Sequence, residues 1–317
     1  MALRIAFLGN GPFAAPALEA LYQAGQRILL VVARPDRPQG KHLTIEPGPV
    51  ARLAVELGLP LQQPESVNTD EFVAELAALN LDLLVVADFG QILSSKCLTA
   101  AGLGGVNIHG SLLPKYRGAA PIAWAIYNGE AETGVSILQM TPKMDAGGVV
   151  AKEVFPIPPA ATAGDVEAEL ATIGARLIVE VCRKLEKGTL PPEPQDPAQV
   201  TMAPKLTKEH GRLRWDRPSR QVVDQFRAMT PWPGVFFEWT NAKGQVMRLR
   251  VLKLRESGES IEGRSAGEIV STEGGVIVVA AANGAVAIEQ VQPAGGKAMS
   301  AVDFLRGRPM PVGTKLA

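Results

Sequence analysis

RIAFLGNGPFAAPALEALYQAGQRILLVVA, residues 4–33, sets the architecture. Arg4 to Leu8 is a short apolar strand, Gly9-Asn10-Gly11-Pro12 turns it, and a helix runs from about Phe13 to Gln23. Gly25 closes that helix, and Arg27 to Ala33 is a second strand. Strand, helix and strand in this order make a βαβ unit, so the sheet is expected to be parallel and the fold α/β. The same turn admits another reading. Gly9, Gly11 and Ala14 stand at the small positions of a dinucleotide-binding turn, with Asp36 beyond the next strand. A lone fingerprint of this kind is a weak argument for a nicotinamide cofactor, because any tight strand-to-helix turn favours glycine.

Outward from this unit, residues 33–50 (ARPDRPQGKHLTIEPGPV) are dense in Pro and Gly and read as a long irregular loop tinted basic by Arg34, Arg37, Lys41 and His42. Loops of this length inside a compact domain tend to be functional or mobile. Helices are expected at about Pro49–Leu57 and Asp70–Leu79, with a short segment at Leu61–Pro64 between them. Leu83 to Ala87 is uniformly apolar, as buried parallel strands tend to be. Thr162 to Lys187 is a long amphipathic helix with Arg183, Lys184 and Lys187 in its last turn and Gly188 as its stop.

Residues 189–204 hold five prolines in sixteen positions, a composition expected neither to pair nor to coil. This gives a doubly wound, mostly parallel-sheet domain over residues 1–188, a Pro-rich linker over 189–206, and a second domain over 207–317. In the latter the rhythm changes. After a helix at Ser219–Met229, short strands are expected at Val235–Thr240, Gln245–Lys253, Ala266–Ser271, Gly275–Ala281 and Ala285–Gln290. Short strands with glycine turns imply a small OB-like β-barrel.

Composition narrows the class. At 317 residues with 46% hydrophobic side chains the chain is globular and long enough for two domains. No apolar run reaches the roughly 18 to 20 residues needed to span a bilayer. The start, MALRIAFLGNG, reads as a strand and turn rather than a signal peptide, and the expected location is the cytoplasm. Cys97 and Cys182 are lone and far apart, suggesting neither a disulfide framework nor a metal site. A net charge of zero hides an asymmetry: residues 1–204 carry 15 Lys and Arg against 21 Asp and Glu, whereas 205–317 carry 17 against 11. A basic second half suits a polyanionic partner, although a solvated basic surface explains the same counts.

The chemistry concentrates between Asn107 and Asp145. GVNIHGSLLPKYRGAAPIAWAIYNG (105–129) leads through a strand, TGVSILQM, into TPKMDAGG (141–148). Val106 and Ile108 alternate with Asn107 and His109, so one strand carries two polar side chains on a single face. An Asp arriving from the next strand completes what looks like an assembled site. Each residue alone has a plainer reading: Asn107 as a strand-end cap, His109 as a satisfied core histidine, Asp145 as the start of a turn. His42 and His210 have no such company.

These residues carry a resemblance. Asn107-x-His109-x-Ser111-Leu112-Leu113-Pro114-x-Tyr116-Arg117-Gly118, followed by Asp145 in an MDAGG turn, is similar to the signature of enzymes that take formyl from 10-formyltetrahydrofolate. FLGNGPFAAPALEAL (7–21), PDRPQGK (35–41), GAAPIAWAI (118–126) and QPAGGKAMSAVDFLRG (292–307) resemble the methionyl-tRNA formyltransferase branch of that family. The resemblance spans nearly the whole chain. It implies a formyltransferase-type α/β domain and an OB-like tRNA-binding barrel. It also implies formyl transfer from 10-formyltetrahydrofolate, as co-substrate, to the α-amino group of initiator methionyl-tRNA, without a metal. Monomeric behaviour is expected. One departure stands out: Lys41 sits where the family tends to place a loop arginine, and lacks its bidentate fork.

By this resemblance Asn107 and His109 donate to the developing oxyanion. Asp145 keeps His109 charged or accepts the amine proton through water. Ser111, Leu112, Leu113 and Pro114 meet the folate, while Leu83–Gly90, including Phe89 and Gly90, lines the pteridine pocket. Transfer-RNA contact is expected at Arg37 and Lys41 in the loop and at Arg248, Arg250 and Lys253 on the barrel. Alternate strand residues share a face, so Arg248 and Arg250 are expected to point together. Formylation of a small amine such as an aminosugar nucleotide would keep the three polar residues but would not need a basic barrel.

Overall fold

The computed structural model describes residues 2–39, 44–188, 190–241 and 243–317. Lys41 and His42 lie outside them. The chain forms two compact units: Met1–Ile122, Glu132–Pro156 and Asp165–Pro204 make the first, and Ala123–Ala131, Ile157–Gly164 and Lys205–Ala317 the second.

The first unit opens with β1 (Arg4–Gly9), α1 (Ala15–Gln23) and β2 (Arg27–Val32), the expected βαβ unit. The following loop is less irregular than its composition suggests, since β3 (Pro38–Gln39) and β4 (Thr44–Ile45) pair antiparallel within it. Next come α2 (Pro49–Glu56), β5 (Leu61–Gln62), α3 (Asp70–Ala78), β6 (Leu83–Ala87), α4 (Ser95–Leu98) and β7 (Gly105–His109). The remaining elements are β8 (Arg117–Gly118), β9 (Glu132–Gln139), β10 (Val149–Pro156), the long α6 (Ala163–Leu185) and β11 (Met202–Ala203), while α5 (Pro121–Tyr127) falls mostly in the second unit.

Seven strands form one sheet in the order β10-β9-β7-β6-β1-β2-β5. The pairs from β7 through β5 are parallel. β9 runs antiparallel to β7, and β10 antiparallel to β9. From β1 the chain winds outward through β2 and β5, then returns to β6 on the other side of β1. This reversal is a switch point, beside which ligands of open α/β sheets tend to bind.

Both faces of the sheet are covered. Ala6, Leu8, Leu84 and Val86 pack with Phe72 and Leu76 of α3 on one side. On the other, Gly174 of α6 lies so close to Ile108 that a Cβ there would meet the Ile108 Cγ2 at 2.8 Å. Ile108 therefore faces α6, and by strand alternation Asn107 and His109 face away from it.

The Pro-rich segment departs from expectation. It pairs: Met202–Ala203 lies parallel to Arg117–Gly118, and Glu193 exchanges two backbone hydrogen bonds with Val149, both 2.8 Å. Proline cannot donate, but Glu193, Thr201, Met202 and Ala203 fall between the prolines and keep their amide and carbonyl groups for pairing.

The second unit contains α7 (Ser219–Ala228), β12 (Val235–Thr240), β13 (Val246–Ser257), β14 (Ile269–Ser271), β15 (Ile277–Ala280), β16 (Ala285–Pro293), β17 (Met299–Ser300) and α8 (Ala301–Gly307). The strands pair antiparallel in the order β12-β13-β16-β15-β14, with β17 on β16. The ends of this path are joined by residues 313–317. Ala317 exchanges hydrogen bonds of 2.7 and 2.9 Å with Glu238 on β12, while Thr314 and Leu316 bond Ile269 and Gly267 beside β14. The result is the small barrel that the strand rhythm implied, a closure that removes sheet edges. Phe237, Ile277 and Ile288 are fully buried inside this unit.

Candidate active site

Asn107 and His109 leave β7 on the same face, and the turn between β9 and β10 folds back over that face to bring in Asp145. The Asn107 amide donates to Asp145 Oδ1 at 3.3 Å. The other carboxylate oxygen, Oδ2, accepts the Gly118 backbone N–H at 2.9 Å and lies 3.7 Å from His109 Nδ1. On the far side of the ring, His109 Nε2 sits 2.9 Å from the Tyr116 carbonyl. That carbonyl can only accept, so Nε2 carries a proton and the nitrogen turned toward the carboxylate is Nδ1. The imidazole is 5% exposed and the Asp145 side chain 11%. The pair is therefore well shielded from water, which strengthens each electrostatic contact it makes.

The local backbone explains why these residue types sit here. Asp145 has φ +48, in the left-handed region that Asp tolerates better than most residues. Gly147 and Gly148 follow because Cβ atoms there would run into the Gln139 carbonyl oxygen and the Pro192 ring. Gly118 has φ +128, and a Cβ would collide with the Ala203 carbonyl oxygen. Glycine at 118 thus lets β8 approach β11 closely enough for its amide to reach Asp145.

The loop from Ser111 to Pro114 is pinned from below. The Ser111 hydroxyl donates to the Lys115 carbonyl at 2.7 Å. Ser136 of β9 donates to the Ser111 carbonyl at 2.7 Å and accepts the Leu113 N–H at 3.1 Å. Ser111 and Leu113 are buried, while Leu112 is partly exposed. Ser136 was not singled out from the sequence. Its position in an apolar strand, VSIL, is the signal that could have marked it.

Phe89 and Gly90 leave the carboxyl end of β6, next to β7 in the sheet. Phe89 is only 2% exposed and packs in the core. The Phe89 carbonyl accepts from Asn10 Nδ2 at 2.6 Å and from Arg34 Nε at 2.8 Å. Gly90 has φ +74, and the Arg34 guanidinium fills the place a side chain would need.

The dinucleotide reading loses its grounds. Gly9 is required because a Cβ would press on Ala14 and the Ala87 carbonyl, and Gly11 leaves room for the Asp88 carboxylate. Asp36, which would bind a ribose, instead accepts from Gln63 Nε2 at 3.0 Å and holds the loop. Burial pushes the Cys97 thiol up to about 11 and the Cys182 thiol up to about 12, so neither is a nucleophile. Among the described residues no group of three or more His, Cys, Asp and Glu is placed to hold a metal ion. No described helix is long and apolar enough to cross a membrane. A mostly apolar cavity of about 390 Å³, lined among others by Leu83, Val106, Val150 and Val181, lies on the α6 side of the sheet, away from the Asn107 face.

The basic candidates on the barrel are outward-facing but paired. Arg248 donates to Glu238 at 2.9 Å and lies 4.1 Å over the Phe236 ring. Arg250 donates to the Pro231 carbonyl at 3.0 Å. Lys253 and Arg255 both reach Glu289 at 2.7 Å. Irregular register around Lys253 lets it and Arg255 share the exposed side with Arg248 and Arg250 despite opposite sequence parity. In the first unit Arg37 pairs with Glu65 at 2.9 Å, both side chains largely exposed.

Hydrogen-bond donors beside a shielded carboxylate, on a strand of a doubly wound sheet, make a site suited to acyl-type group transfer. Residues 3–182 match the formyl transferase family model, and residues 205–309 match that of the formyl transferase C-terminal domain. A methionyl-tRNA formyltransferase of Moorella thermoacetica is 41% identical over 97% of this chain and 97% of its own length. The chain belongs to the formyltransferase family. Solved structures agree in fold. An N-formyltransferase from Helicobacter canadensis, crystallised with folinic acid and dTDP-3-aminofucose, superposes with a TM-score of 0.65 at 17% identity, covering 90% of this chain and 98% of that one. HypX of Aquifex aeolicus in complex with tetrahydrofolic acid gives 0.61 at 18% identity over 96% of this chain. This chain spans about half of HypX, 47% of its length.

Proposed function

We propose that this protein transfers a formyl group from 10-formyltetrahydrofolate to the α-amino group of methionine on initiator methionyl-tRNA, the step that marks this tRNA for translation initiation. One observation carries the reading: Asn107 and His109 of β7 and Asp145 from the distant turn between β9 and β10 share one hydrogen-bonded network on one face of β7. Similarity to the Moorella methionyl-tRNA formyltransferase along nearly the full length of both chains supports the choice of acceptor.

In this reaction the amine nitrogen attacks the formyl carbon. A tetrahedral intermediate forms with negative charge on oxygen and positive charge on the attacking nitrogen. It collapses as the bond from carbon to the folate nitrogen breaks; the amine gives up a proton and the departing folate nitrogen gains one. An amide side chain has two N–H donors. Asn107 directs one to Asp145 and has the second to offer the oxyanion. His109 commits Nε2 to the Tyr116 carbonyl, so Nδ1 is the ring atom facing the reaction. With the ring doubly protonated, Nδ1 and Asp145 form an ion pair across 3.7 Å, or Nδ1 turns its proton to the oxyanion. Asp145 also accepts the amine proton through a bridging water. An α-amino group titrates near 7.7–8 in reference peptides, so a weak base suffices.

The residues assigned to folate are Ser111 to Pro114, whose backbone is set by Ser136, together with the backbone at Phe89 and Gly90. Residues 1–188 serve as the catalytic domain and 207–317 as the tRNA-binding domain, with Arg37, Arg248, Arg250 and Lys253 meeting phosphates. We read the protein as cytoplasmic and monomeric. The test is formylation of methionyl-tRNA by 10-formyltetrahydrofolate, run beside a dTDP-aminosugar acceptor. Transfer to tRNA alone supports the assignment; transfer to the sugar alone overturns it.

A further inference from the structure

Gln195, in the Pro-rich segment of the first unit, is half-buried among exposed neighbours. Its Nε2 donates to two carbonyls of the Asp145 turn, that of Asp145 itself at 2.8 Å and that of Gly147 at 2.6 Å. Its Oε1 accepts from Arg117 Nε at 3.1 Å and Nη2 at 2.8 Å. Carbonyls can only accept and a guanidinium can only donate, so the amide fits this position in one orientation. Asparagine is too short to span both sides, and a carboxylate cannot donate to the carbonyls. The same segment grips the other half of the site. Thr201 accepts the Tyr116 N–H on its hydroxyl at 2.8 Å and the Arg117 N–H on its carbonyl at 2.9 Å.

We propose that Gln195 is a positioning residue for Asp145. It ties the turn that carries the carboxylate to the loop that supplies the Gly118 amide and the Tyr116 carbonyl. The left-handed backbone at Asp145 is thereby locked, and the carboxylate is kept facing Asn107 and His109. A reacting group left loose by even an ångström loses much of its effect. The proposal rests on the formyl-transfer reading for its kinetic arm only.

The experiment uses the full chain with Gln195→Glu and Gln195→Ala. Gln195→Glu keeps an acceptor for Arg117 and removes the donors to the turn, so it separates the two halves of the clamp. Both variants are expected to lower kcat for formyl transfer about 10- to 100-fold, with KM for both substrates within about twofold and the thermal midpoint close to that of the parent. Independently of turnover, the Gly118 amide is expected to exchange with solvent at least about tenfold faster in Gln195→Glu, because its carboxylate acceptor drifts. Wild-type kcat in Gln195→Glu, or unchanged Gly118 exchange, overturns the proposal. A loss of activity that tracks a loss of folding in both variants also overturns it. A parent chain that transfers no formyl overturns the functional reading instead, and Gly118 exchange still decides the clamp.

Discussion

At the scale of single residues the account stands on three polar side chains and the backbone that aims them. Asn107→Ala and His109→Ala are each expected to lower kcat by about 10² to 10³, the usual effect of removing one oxyanion donor. Asp145→Asn keeps the volume and an acceptor for Gly118 but not the charge. It should reduce kcat comparably while leaving the thermal midpoint near that of the parent. Steady-state kinetics with calorimetry on the same preparations checks all three; normal turnover in any two ends the mechanism. Gly118→Ala is different in kind. It places a side chain at φ +128 against the Ala203 carbonyl, and is expected to cost about 1–3 kcal/mol of stability as well as activity. Denaturant unfolding reads that loss directly. The trio was legible because strand alternation and a recognisable signature both marked it. Gln195 was not, because its partners Arg117 and Asp145 are distant in sequence and nothing in PPEPQDP announces an amide clamp. Phe89 shows the converse limit, since a motif gives the segment near a ligand but not which atoms turn toward it.

At the scale of elements, β13 and its neighbours decide how much of the basic face is free. The Arg248 hydrogen bond, with that of Arg212, holds the Glu238 carboxyl below the usual glutamate range. Lys253 and Arg255 do the same to Glu289. For groups lowered in the folded state, the stabilisation is complete above the ordinary value of about 4.3 and fades as pH falls through the lowered ones. The thermal midpoint should therefore drop on the acid side, and less steeply in Glu238→Gln; calorimetry across pH 3 to 6, at low salt, measures it. Glu238→Gln also removes the negative charge that Arg248 faces, although Arg212 keeps its pair with Glu209, so tRNA should bind it more tightly with a steeper salt dependence. Filter binding at several salt concentrations that finds weaker binding would count against a nucleic-acid role for this face. Most elements could be read from apolar runs and glycine turns. β10, interrupted by Lys152 and Glu153, and the short α4 and α8 lacked such a signal. Residues 189–204 misled in the other direction: five prolines hid non-proline positions that pair with β8 and Val149.

At the scale of the whole chain, the even overall charge conceals a basic carboxy-terminal part and an acidic amino-terminal part. Binding of tRNA is accordingly expected to weaken log-linearly with salt, as phosphate contacts release counterions. The parallel βαβ start and the barrel were foreseeable from pattern, and the doubly wound class from the resemblance; the order of strands and the switch point at β1 and β6 came only with the structure. The closure of the barrel by residues 313–317 was not, because it depends on pairing between segments far apart in sequence. The most direct measurement is single-turnover formation of formylmethionyl-tRNA from 10-formyltetrahydrofolate, with methionine esterified to initiator and to elongator tRNA. Rapid transfer to the initiator species, lost in Asp145→Asn, is the expected result. Absence of transfer to either tRNA, or a rate that Asp145→Asn leaves untouched, would contradict the account.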